Sequence, residues 1–403
     1  LARKRPNMSQ QGSQLDIEIL LRFAVKRKAS DLFVTAGIPP SIKINGKMEF
    51  VVKSPLSAEQ ARSLVYSTMS PRNREEFESS QEANFALNFT DIGRFRVNVF
   101  QSQGNVGMVV RRIQTNIPTL EDLGLPAALK PLATARRGLV FFVGATGVGK
   151  STSLAAMVGY RNRHSTGHIV TIEEPIEFVH THQSCIVTQR EVGIDTQSYE
   201  AALKNALRQA PDVIMIGEVR SRETMEHALA FAETGHLCLA TLHSTNTLHA
   251  IERMLNFFPD DRQLQVRMDL SMNLKAIAAQ RLVPAADGAG RRVAVELLIN
   301  TPRIADLIRA GDFHLIREAM TKSSQQGMRT FDQAVYELYT AGDVTYEEAI
   351  AHADSENEVR LMIKLNSSKD AKSSVRGLWS AISIWTGLMR DGSTPAIRPA
   401  DWV

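Results

Sequence analysis

Cysteine is nearly missing: 403 residues hold two, Cys185 and Cys238, with no Cys-x-x-Cys pair. That excludes a zinc ribbon and a disulfide framework and suits a reducing compartment, so both thiols are expected in or near the core. Between Met8 and Leu365 no apolar run approaches the ~20 residues a transmembrane helix needs. The residues before Met8 lead into a polar stretch, so no secretory signal is expected, Met8 is read as the start, and the body is read as cytoplasmic. Charge of one sign is scarce too, since 47 basic residues against 43 acidic ones leave only +4, spread along the chain. Without a dense basic stripe or a DNA-binding motif, no nucleic-acid partner is expected. Tryptophan is confined to Trp379, Trp385 and Trp402; the apolar stretch 377–389 is too short to span a bilayer, and residues 366–403 read as an appended, weakly ordered tail on their polar flanks and lack of helix caps, with an interfacial amphipathic anchor as the alternative. What is abundant is ordinary: 43% hydrophobic and 22% charged residues, enough for two or three globular cores.

The periodicity changes along the chain. A helix is expected from Leu15 to about Arg27, short strands at 32–34, 41–44 and 47–52 with an Asn45-Gly46 turn, helices near 58–67 and 72–79, and alternating strands at 84–89, 94–100 and 106–113. This is an N-terminal α+β domain over 8–114, followed by a Pro-containing linker over 115–137. From Gly138 apolar strands (139–143, 168–172, 213–216, 237–241) alternate with helices starting near Lys150, Tyr199, Arg222 and Asn246. Such alternation implies a mostly parallel sheet with ligands at the carboxyl ends of its strands, assigned here to 138–300. Residues 301–365 read as a helical subdomain, with periodic stretches at 303–309, 330–340 and 346–352.

Gly144-Ala145-Thr146-Gly147-Val148-Gly149-Lys150-Ser151 directly follows the first of these strands, with Thr152 next. The glycines let backbone N–H groups turn inward around phosphate oxygens, Lys150 neutralises the β/γ-phosphates, and Ser151 can ligate Mg²⁺. Asp212 to Glu218 is an apolar strand bounded by acids, which in a phosphate-loop protein delivers a carboxylate to the metal or the attacking water, so Glu218 is the candidate general base. Glu173, Glu174 and Glu177 follow another strand, so at least one can reach the same site. His236 and His243 flank a buried strand, where imidazoles can bond a γ-phosphate or register its loss; a zinc role lacks a third ligand. Arg96 and Arg111 lie on adjacent expected strands of the first domain, and phosphoryl transfer needs a cation to offset charge on the γ-phosphate.

Together these segments resemble the secretion-superfamily ATPases, most closely the PilT/PilU type IV pilus retraction ATPases and, within them, the PilU branch. The carriers are the phosphate loop, the acidic box Thr171-Ile-Glu-Glu-Pro-Ile-Glu-Phe178, the Walker B element Ala210-Pro-Asp-Val-Ile-Met-Ile-Gly-Glu-Val-Arg220, and the histidine box from Thr234-Gly-His to Thr241-Leu-His243. Gln189-Arg-Glu-Val-Gly-Ile-Asp195 and the ending Arg360-Leu-Met-Ile-Lys-Leu365 carry the PilU likeness, and the resemblance covers Met8 to Leu365. Two positions depart from it: Glu174 stands where the family usually has Asp, and Phe33 where relatives often have His. The resemblance implies a PAS-like N-terminal domain, a RecA-like core with a C-terminal helical subdomain, and ATP and Mg²⁺ as ligands. It also implies catalytic roles for Glu218, Glu173, Arg96, Arg111, His236 and His243, with Ser151 and Glu174 on the metal. The function implied is a hexameric motor for pilus retraction and twitching motility, working with a companion retraction ATPase and an inner-membrane platform protein at the pilus base. The alternative is an ATP-binding accessory subunit with little hydrolysis.

Overall fold

Residues 15–44, 46–113 and 115–365 are described by the computed structural model of the chain. The expectations for a start at Met8, for Asn45 in its turn and for the tail 366–403 fall outside the described residues.

Asp16 accepts from the Glu18 N–H and starts helix α1 (Ile17–Lys26), whose apolar face buries Leu20, Leu21 and Ala24. Strands β1 (Asp31–Val34), β2 (Ser41–Ile44) and β3 (Lys47–Phe50) follow. A Ser57/Gln60 capping box then opens α2 (Ala58–Ser67), and Pro71 sits in the first turn of α3 (Pro71–Ser80). Strands β4 (Glu82–Phe89), β5 (Gly93–Ser102) and β6 (Asn105–Arg112) complete a six-stranded sheet in the order β3-β2-β1-β6-β5-β4. On β5 the residues Phe95, Val97 and Val99 are buried, which sends Arg94, Arg96 and Asn98 to the opposite face. The β5–β6 register sets Arg96 opposite Arg111, so both guanidinium groups leave the sheet on one face.

A short helix α4 (Leu129–Ala133) leads into β7 (Gly138–Val143), every residue of which is buried. The chain then alternates through α5 (Lys150–His164), β8 (Gly167–Glu173), β9 (Cys185–Glu191), α6 (Tyr199–Ala206), β10 (Val213–Ile216), α7 (Arg222–Glu233) and β11 (Leu237–Leu242). Helices α8 (Thr247–Asn256) and α9 (Asp260–Asn273) precede β12 (Leu274–Pro284) and β13 (Arg291–Ile299). The second sheet has the order β13-β12-β7-β11-β10-β8-β9, parallel except for the antiparallel edge strand β13. Leu139, Phe141 and Val143 face one apolar cluster and Val140 and Phe142 another, so helices cover both faces of β7 and its continuous apolar run follows. Helices α10 (Pro302–Ala310), α11 (Ile316–Lys322), α12 (Phe331–Thr340) and α13 (Tyr346–Ala351) close the described chain with a last helix over 356–365.

The expected fold class is present: an α+β N-terminal domain, a P-loop α/β core and a C-terminal helical part. Both cysteines are buried, as composition led us to expect. Several elements had no counterpart in the periodicity reading. Strand β9 mixes exposed Ile186 with buried Cys185 and Val187 and carries a Thr-Gln-Arg-Glu stretch, so neither period dominates. Helix α9 exposes Leu264, Met268 and Met272, which blurs its amphipathic pattern. Strands β12 and β13 are rich in Ala and Leu, good helix formers held extended by their nine-residue pairing.

Candidate nucleotide-binding and hydrolytic site

The phosphate loop joins β7 to α5, so backbone N–H groups and a helix N-terminus converge at the carboxyl end of a central strand. Gly147 and Gly149 take left-handed φ values of 79° and 90°, which L side chains rarely adopt. At Gly144 a methyl group would lie 2.8 Å from the Gln280 carbonyl oxygen, so the loop packs against β12 with no room for a side chain. Lys150 Nζ donates to the carbonyls of Gly144 at 2.9 Å and Ala145 at 2.8 Å and lies 3.5 Å from His243 Nδ1. Burial pulls its pKa down, opposed by the charges of Glu218 and Glu177. The ammonium thus rests on two neutral carbonyls.

Three strand ends bring the other groups in. Glu218 follows β10, with its side chain 15% exposed; Oε1 lies 3.0 Å from His243 Nε2, and Oε2 accepts from Arg220 Nη2 at 2.7 Å. Arg220 also reaches Glu174 Oε2 at 3.5 Å, so one guanidinium links the Walker B carboxylate to the acidic box. Glu173 ends β8 and is buried; Thr171 Oγ1 and Gln189 Nε2 donate to its Oε1 at 2.7 and 3.1 Å. Burial pushes its pKa up to about 7, the two donated hydrogen bonds working against that rise. Gly217 leaves no room either, since a methyl there would sit 2.9 Å from Tyr199 Oη and 3.2 Å from Glu173 Cα. Glu173, Tyr199, Gly217, Glu218 and Arg220 line one cavity of 470 Å³ together with Lys150, Ser151, Thr152, Glu174, Glu177 and His243.

The two histidines are not brought together. His243 stands at the carboxyl end of β11 beside Lys150 and Glu218. His236 precedes the same strand, with Nδ1 3.0 Å from Thr234 Oγ1 and 3.2 Å from the Phe231 carbonyl. Six residues of extended chain place it ~20 Å from the pocket, outside reach of a phosphate bound there in its own chain.

Arg96 and Arg111 line a second, larger cleft of 1170 Å³ between the two sheets rather than the phosphate pocket itself. Thr152, Pro175, Glu177 and Phe178 border both spaces, so the arginines face the nucleotide pocket across a shared wall. Arg111 Nε is anchored 2.8 Å from Asp31 Oδ1, a carboxylate 6% exposed, while 71% of the arginine side chain stays in solvent. Several wall residues carried no sequence signal. His180 is buried in the pocket wall, with its pKa pushed down to about 4 by burial and, secondarily, by Arg163. Tyr199, at the start of α6, also lines the pocket and belongs to no motif noted in the sequence.

No group of three or more His, Cys, Asp or Glu side chains suited to a metal ion exists among the described residues. Mg²⁺ is commonly held by only one or two protein oxygens together with substrate phosphates and water. The Ser151 hydroxyl on the first turn of α5 and the 44% exposed Glu174 carboxylate fit such a set. No helix among the described residues is long and apolar enough to cross a membrane.

Comparison with known proteins places this geometry. The model of a family described as type II/IV secretion system protein matches residues 11–390. The type IV pilus ATPase PilU of Pseudomonas aeruginosa is 63% identical over 357 residues, covering 89% of this chain and 94% of that protein. The type IV pilus retraction ATPase PilT of the same organism is 40% identical over 335 residues, covering 83% and 97%. Among solved structures, the pilus retraction motor PilT with bound ADP superposes with a TM-score of 0.81 at 40% identity, covering 86% of this chain and 99% of that one.

Proposed function

We infer that this chain, which belongs to the type II/IV secretion system protein family and is a PilT/PilU-like type IV pilus ATPase linked to retraction and twitching, hydrolyses ATP itself and works as a hexameric ring. The observation that carries this reading is the meeting of Lys150, Glu218 and His243 at three neighbouring strand ends, around a loop built for phosphate. Intact Lys150 and Glu218 favour a hydrolysing motor over an ATP-binding accessory subunit.

Lys150 exchanges its two carbonyl partners for β/γ-phosphate oxygens, and the loop amides take the rest. Ser151 and Glu174 would hold Mg²⁺, which when bound would neutralise phosphate charge. Glu218 orients water for in-line attack. An ionised carboxylate has about four lone-pair sites, so the bond from Arg220 and the contact with His243 fix it and still leave room to accept from water. Glu173, buried and hydrogen-bonded, holds the acidic box from beneath. Arg96 and Arg111 descend on the γ-phosphate as the cleft closes, and phosphate release loosens them, so hydrolysis becomes domain reorientation. For His236, whose strand end faces away from this pocket, a role across a subunit boundary is the reading compatible with a ring. The assembly would work at the cytoplasmic side of the inner membrane, on the pilus platform protein and beside a companion retraction ATPase.

Lys150→Ala tests the binding half of this reading. Losing charged hydrogen bonds worth about 3 kcal/mol should weaken ATP binding roughly 100-fold, read by calorimetric titration. Wild-type affinity in that variant would remove the loop from the nucleotide site.

A further inference from the structure

Strand β9 presents two side chains on one face, Gln189 and Glu191, that the hydrolytic chemistry leaves unused, and both grip the segment after β8. Gln189 Nε2 donates to Glu173 Oε1 at 3.1 Å and to the Phe178 carbonyl at 2.8 Å, while its Oε1 accepts from the His180 N–H at 2.8 Å. Glu191, only 2% exposed, accepts from the Ile176 N–H at 3.4 Å. The acidic box is thereby braced at 173, 176 and 178, and the residues just after it at 180, from a single strand.

The cation facing Glu191 belongs to the other sheet. Arg94 Nη2, on β5, lies 3.9 Å from Glu191 Oε2. Arg94 precedes Arg96 by two residues on the same face, so one strand carries a guanidinium aimed at the nucleotide cleft and another set on the brace of the acidic box. At 3.9 Å the Arg94–Glu191 contact is a charge pair and not yet a hydrogen bond, so an approach of about 1 Å makes one. Glu191 has little recourse to water. Burial raises its pKa, countered by the Ile176 N–H, Arg94 and Arg96, with Asp195 adding to the rise.

We propose that Glu191 is a positioning residue that couples the placement of the N-terminal domain to the acidic box, with Arg94 holding the carboxylate and the carboxylate holding the Ile176 backbone between Glu174 and Glu177. When the N-terminal domain closes, the same movement that brings Arg96 over the nucleotide tightens Arg94 on Glu191 and fixes the box; when it opens, the box loosens. This rests on the reading of the pocket as an ATP-hydrolysing site.

The test is a double-mutant cycle of Arg94→Met and Glu191→Gln, with Arg94→Lys as the conservative variant, read by kcat, KM for ATP and amide hydrogen exchange over 174–180. Glutamine keeps an acceptor for Ile176 and removes the charge. Each single change should lower kcat about tenfold with KM held within about twofold, and the double variant should be no worse than either single. Arg94→Lys should recover most of the loss. Exchange over 174–180 should rise about tenfold in Arg94→Met, although residue 94 lies in the other sheet. Independent losses that multiply to about 100-fold, or wild-type exchange in Arg94→Met, would overturn the coupling. If the wild-type chain releases no phosphate, the ATPase reading falls, and the exchange measurement alone decides the coupling.

Discussion

Glu218→Gln is expected to cut steady-state phosphate release about 1000-fold while ATP binding stays within a few-fold of wild type, as fits loss of a positioned general base. The substitution keeps size and packing at the end of β10. It removes the carboxylate whose two oxygens meet His243 Nε2 and Arg220 Nη2, and an amide has one oxygen to place at only one of those two positions. The water then meets an amide that cannot take its proton. Single-turnover phosphate release with equilibrium binding of a fluorescent ATP analogue separates the two effects. Unchanged turnover would take Glu218 out of the reaction; lost binding would make it a structural residue.

Arg96→Ala is expected to have an effect of the same order, roughly 1000-fold in kcat, because an arginine that meets the γ-phosphate supplies charge stabilisation only as the transition state forms. Arg111→Ala should match it in turnover and differ in stability. Arg111 is the partner of Asp31, whose carboxylate is 6% exposed, and removing the guanidinium leaves that group buried without its cation, a cost of about 1–3 kcal/mol. Asp31→Asn separates the terms: it keeps the arginine but releases its anchor, so turnover should fall less than in Arg111→Ala. Thermal unfolding beside phosphate release checks both. Full activity in Arg96→Ala would mean that the cleft between the sheets does not close on the nucleotide.

The parts of this site that were legible in the sequence are those set by local chemistry. The phosphate loop needs its glycines and lysine in one order, and Glu218 had to end an apolar strand beside it. The pairing of Arg96 with Arg111 could be anticipated from two alternating runs joined by a short turn, and the register places them directly opposite. What was not legible depends on long-range pairing. His236 and His243 look equivalent in sequence, yet the strand between them puts them at opposite ends of the sheet. Gln189 and Glu191 gain their partners only because β9 pairs in parallel with β8 in the register that sets Glu191 beside Glu173. Arg220 reads as a surface ion-pair residue, and only the structure gives it two carboxylates from separate segments.

The central claim is that this chain hydrolyses ATP as an assembled ring. Phosphate release at saturating ATP and Mg²⁺, with the mass of the active species determined in the same sample, tests it most directly. Sustained turnover by a six-subunit species that falls away on dilution to monomers is the expected result. ATP bound without turnover in the intact assembly, or full turnover by a strictly monomeric chain, would contradict it.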